Sequence, residues 1–153
     1  MKKLFTLTLF LLFGSLLYAQ IKAPAASPSA TLVQEIGISE VTIAYSRPSM
    51  RGRKIFGGLV PYGVVWRTGA NNATTFQFND AMMLEGNEIP AGKYSLYTIP
   101  GEKEWTIILN KEFSWGTQYD EGQDFLRFKV EAQESPITYE TFTIELGSLP
   151  NNG

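Results

Sequence analysis

The chain has 153 residues, 44% of them hydrophobic and 18% charged, which is enough apolar material for one packed domain and argues against disorder. It contains no Cys and no His, so disulfides, thiol or imidazole catalysis and the usual zinc ligand sets are excluded. Thirteen Lys and Arg against fifteen Asp and Glu give a net charge of −2, which provides no bulk attraction to nucleic acid.

The first residues, Met1-Lys2-Lys3, form a positive start, and an apolar run from Leu4 to Leu17 follows. Leu17-Tyr18-Ala19 then places a small residue just before Gln20. This is the layout of a secretory signal peptide over residues 1–19, cleaved after Ala19. The run is shorter than the ~20 residues of a spanning helix, and a polar, Pro-bearing stretch comes next, so no membrane span is expected after cleavage. No Cys stands at the cleavage point to take a lipid. Loss of Lys2 and Lys3 leaves eleven cations against fifteen carboxylates, a mildly acidic protein expected in the periplasm or secreted. Residues 20–29, rich in Pro and small side chains, read as a flexible lead-in, and residues 30–153 as one domain.

The domain reads as all-β, an antiparallel β-sandwich or flattened barrel of about nine short strands. Leu32–Ile36 and Val41–Tyr45 form a hairpin candidate, with Val41, Ile43 and Tyr45 alternating with Thr42 and Ala44. Arg47 to Gly58 is a long Pro/Gly-rich connection. A strand is expected over Val64–Arg67, a turn over Thr68–Asn72 and a strand over Ala73–Asn79. Met82–Leu84 and Glu88-Ile89 flank a tight reversal at Gly86-Asn87. Tyr94–Ile99 and Trp105–Asn110 are apolar on both faces, which places them centrally between two layers. Phe125–Ala132 shows one apolar face (Leu126, Phe128, Val130) and one charged face (Arg127, Lys129, Glu131). Thr138–Leu146 is the last expected strand.

Several blocks carry a family resemblance: Val41 to Pro48 (VTIAYSRP), Arg51 to Gly63 (RGRKIFGGLVPYG), Val65 to Asn71 (VWRTGAN) and Pro90 to Pro100 (PAGKYSLYTIP). In this order they resemble the domain of unknown function 2911 family, a group of exported proteins of gram-negative bacteria. The resemblance implies a small exported β-domain and brings no catalytic residues with it. Members of that family usually continue past Thr141–Glu145 into a further strand pair. The resemblance therefore implies a C-terminally truncated form with an open sheet edge.

Three constellations bear on function. Arg47, Arg51, Arg53, Lys54 and Arg67 fall within 21 residues and make up five of the eleven cations after Ala19. Arg forks bind carboxylate, sulfate or phosphate, so a convergent cluster would be an anion pocket; otherwise these cations pair with the protein's own carboxylates or face water. Trp66, Arg67, Asn71 and Asn72 form the second. A Trp beside an Arg and two Asn can stack on a sugar and bond its hydroxyls, or can fill the core and shape a turn. The third is Trp115 to Asp124, either a glycan platform, a Ca²⁺ loop through Asp120, Glu121 and Asp124, or an exposed acidic loop capped by aromatics.

The expected function is an exported, non-catalytic binding or envelope-accessory module. Its ligand-binding residues would be Arg47, Arg51, Arg53, Trp66, Arg67, Asn71 and Asn72, taking a small anionic or glycan ligand, with no metal and no cofactor. No Walker or dinucleotide phosphate loop is present. One alternative is a glycan-active enzyme using two carboxylates among Glu85, Glu88, Glu102, Glu104, Asp120 and Asp124. Another is a structural protein that accepts a partner's strand on its open edge.

Overall fold

In the computed structural model, which describes residues 23–147, the chain builds one six-stranded antiparallel sheet and one two-stranded hairpin. The strands are β1 (Ser29–Ile36), β2 (Ser39–Ser46), β3 (Thr74–Phe78), β4 (Met82–Leu84), β5 (Asn87–Ile89), β6 (Gly92–Ile99), β7 (Glu104–Asn110) and β8 (Asp124–Glu131). The sheet order is β1-β2-β3-β6-β7-β8, with β4-β5 apart, and the sheet does not close into a barrel. The expected signal segment 1–19 lies outside the described residues. No helix among the described residues is long and apolar enough to cross a membrane.

Period-two patterning decides which side chains meet. On one face Val41, Ile43, Tyr45, Phe78, Tyr94 and Leu109 pack into the main core, and Ile89 of β5 closes over it from the hairpin. The opposite face has a smaller cluster of Ala73, Tyr97 and Ile108, backed by Val65, Ile99 and Tyr119. The central pair β6-β7 is therefore covered on both sides, as its apolar faces require. The β4-β5 turn sits at Glu85-Gly86, both at positive φ, one residue earlier than the sequence suggests. Asn87 instead begins β5, and its Nδ2 donates to the carbonyls of Leu84 and Glu85.

Two expected strands form no ladder. Val64–Arg67 contributes only a single bridge, Trp66 with Thr98. The segment Thr138–Leu146 makes one bridge, Thr141 with Ser49, and otherwise runs without strand partners among the described residues. Its neighbour is the irregular 47–60 connection, which offers no row of evenly spaced backbone groups. Side chains take over the pairing. Arg47 donates from Nε to the Phe142 carbonyl at 3.1 Å and from Nη2 to Thr143 Oγ1 at 2.9 Å. The Tyr45 hydroxyl accepts from the Ile144 amide at 3.2 Å.

Candidate functional site

Residues 47–70 and 133–145 roof one end of the main-core face, and between this roof and Trp105 of β7 lies a trough of about 1090 Å³. Its wall is aromatic. Phe56 stands edge-on to Trp105 at 4.7 Å and to Trp66 at 5.7 Å between ring centroids, and Trp66 meets Phe142 at 5.2 Å. Edge-to-face packing of this kind fixes ring positions beyond what area burial alone provides. Trp66 is also held by its Nε1, which donates to the Gly69 carbonyl at 3.1 Å. Ile55, Leu59 and Val60 extend the apolar lining, and exposed Ile137 and Tyr139 stand on the C-terminal rim.

Charge enters at the edges. Arg53 and Lys54 line the trough from one side, and Glu140 and Glu145 from the other. Arg53 uses Nε and Nη2 to close its own turn, donating to the carbonyls of Met50 at 3.0 Å and Ser49 at 2.8 Å. Glu140 Oε1 accepts from the Arg51 amide at 2.9 Å. Lys54 makes no ion pair among the described residues.

The seven candidate residues from the sequence separate in space. Arg53, Trp66 and Arg67 line the trough. Arg47 lies behind its wall as the clamp on Phe142 and Thr143, and Arg51 is an exposed turn residue at positive φ whose side chain does not line it. Arg67 is held by its stem rather than by its head. Its aliphatic stem runs under Gly116, where a Cβ would come within 2.2 Å of the Arg67 Cδ, and its Nε is buried without a partner among the described residues. Asn71, in the left-handed region, ties loop to sheet by donating to Ser46 Oγ at 3.3 Å. Asn72 bridges to Trp115 and faces a different cleft, on the other side of the sheet.

Phe56, Trp105, Phe142, Glu140 and Glu145 belong to the trough and were not singled out by sequence. The available signal was the inward alternation of Trp105 on β7, which marks a buried face without saying whether that face is filled.

The acidic loop is committed to structure. Asp120 accepts from the Gly122 amide and caps the short 3-10 turn Glu121–Gln123; Asp124 accepts from Asn110, Tyr119 and Arg127; and Glu121 pairs with Arg127 at 2.9 Å. Among the described residues no group of three or more acidic side chains is arranged to hold a metal ion. Of the carboxylates weighed for glycan chemistry, Glu104 pairs with Lys129 at 2.6 Å, and none lines the trough.

The family model described as "Protein of unknown function (DUF2911)" matches residues 27–153, which takes in every strand described above. No curated protein and no solved structure matches the chain.

Proposed function

The chain belongs to the DUF2911 family, and on that footing we propose that it is an exported binding module whose trough takes a flat, multi-ring ligand bearing an anionic group. The four-ring wall of Phe56, Trp66, Trp105 and Phe142 carries this reading. A trough of about 1090 Å³ is slightly larger than the ~300–1,000 Å³ of small-molecule sites, and an apolar lining with a few charged groups at the rim is their usual composition. Arg53 and Lys54 supply the charge that meets the anion. The positive start, apolar run and small cleavage residue of segment 1–19 support export to the periplasm or beyond.

A matched pair of probes tests this: 1-pyrenebutyrate and its uncharged counterpart 1-pyrenebutanol, titrated by pyrene fluorescence. Both should bind the wild-type protein, the acid about fivefold more tightly, the factor that about 1 kcal/mol of rim electrostatics gives. The exposed double variant Arg53→Gln/Lys54→Gln should erase the preference and keep the alcohol's affinity. Absence of binding by either probe overturns the trough as a ligand site. An undiminished preference in the double variant overturns the role of the two cations.

A further inference from the structure

On the sheet face opposite the main core, two large rings project from a loop that is otherwise pinned. Phe113 and Trp115 are 53% and 56% exposed, so the fold makes little use of them. Their loop is fixed from several directions. Ser95 Oγ donates to the Glu112 carbonyl at 2.6 Å, the Glu112 amide donates to Asn110 Oδ1 at 2.7 Å, and Ser114 Oγ donates to the Gln118 carbonyl at 2.6 Å. Trp115 bridges to Asn72 through the backbone, and Gly116 lies against Arg67 too closely for any side chain. Rings presented by a rigid loop lose little freedom when something stacks on them.

Between these rings and the sheet is a cleft of about 260 Å³. Asn72, Thr75 and Lys93 line it. The Asn72 and Thr75 side chains make no hydrogen bond among the described residues, and Lys93 makes no ion pair there. The Lys93 ammonium lies 5.7 Å from the centre of the Phe113 ring, a contact that leaves its N–H groups available. Among the described residues no carboxylate lines the cleft.

A pyranose ring has an apolar C–H side and a polar rim. An exposed indole beside free amide and hydroxyl groups matches both, and a lone cation matches a carboxylate on the same ring. The cleft is smaller than a drug-sized site and fits about one ring of a longer chain. We infer that this cleft is a carbohydrate site for one acidic pyranose residue of a glycan, with Trp115 stacking on the ring, Asn72 and Thr75 bonding its hydroxyls, and Lys93 pairing with its carboxylate. It is independent of the trough, which lies on the other face.

Isothermal titration of the full chain with a β-1,4-linked tetraglucuronate, and with cellotetraose as its neutral counterpart, tests the inference. The acidic chain should bind in the range of about 0.1–1 mM, the weaker end of specific recognition, and cellotetraose several-fold more weakly. Trp115→Ala should weaken both at least tenfold with an unchanged melting temperature, and Trp115→Phe should recover part of the loss. Lys93→Gln should bring the two ligands to equal affinity, while Arg53→Gln/Lys54→Gln should leave both untouched. No binding of either oligosaccharide, or binding indifferent to Trp115→Ala, overturns the site. Equal affinity of the wild type for both overturns the acidic specificity. Failure here leaves the pyrene result standing, and the reverse also holds.

Discussion

The main-core face is covered by two structures of opposite kinds. Over one end lies the β4-β5 hairpin, whose two strands satisfy each other's backbone through three residue pairs. Its inner side chains are free to be apolar, and Ile89 is fully buried while Met82 and Leu84 pack around it. Over the other end lie residues 47–66 and 133–146, which among the described residues pair as strands at a single bridge, Ser49 with Thr141. There the free backbone groups of residues 142–144 are met by Arg47 and Tyr45. Arms that reach across for carbonyls cannot also fill space, and the trough remains. Backbone satisfaction thus decides which end is sealed and which is open to a ligand.

Truncation of the sealed end should have the largest effect. Ile89→Ala leaves a cavity beneath a well-formed ladder that cannot collapse, and should lower unfolding free energy by about 2–5 kcal/mol in urea denaturation. A loss under about 1 kcal/mol would mean that the hairpin does not seal the core. Next is the clamp at the open end. Arg47→Met removes two charge-assisted hydrogen bonds and should cost about 1.5–3 kcal/mol, with weakened pyrenebutanol binding as the roof loosens. Arg47→Lys keeps the charge but lacks the fork that reaches Phe142 and Thr143 together, so it should lose nearly as much. Full recovery by Lys would show that charge, not geometry, holds the roof.

The same contrast explains what could be read from the chain. Strands that sit in the sheet announced themselves, because a ladder buries alternate side chains and Val41, Ile43 and Tyr45 or Trp105, Ile107 and Leu109 record that alternation. The roof left no such record. Arg47 is held by partners at Phe142 and Thr143, 95 and 96 positions along the chain, and no local pattern encodes them. Closeness in sequence also misled at Asn71 and Asn72. One ties the loop to Ser46, and the next turns to the cleft beside Trp115. Only part of the arginine cluster converges for the same reason: each guanidinium follows its own backbone, and the Arg67 stem is captured by Gly116.

The loop on the opposite face, residues 111–123, extends the comparison with a smaller effect. It too lacks a ladder, and a polar network anchors it to β8. The Tyr119 hydroxyl donates to Asp124 Oδ2 at 2.7 Å and accepts from Arg127 Nη2 at 2.6 Å, while Asn110 Nδ2 holds the other Asp124 oxygen at 2.8 Å. Burial, and then the hydrogen bond to Asp124 and its negative charge, push the Tyr119 phenol from 10.0 up to about 12, against the opposing pull of Arg127. The neutral phenol is therefore the form that the folded protein favours. Its stabilising contribution is fully present below pH 10 and is lost as pH rises toward about 12. Between these values wild type should lose stability faster than Tyr119→Phe, whose ring cannot ionise, and the gap between their urea midpoints should narrow. Parallel curves across that window would show that the Tyr119 phenol titrates alike in the folded and unfolded chain, leaving the loop to be held by packing and by Asp124 with Arg127 alone.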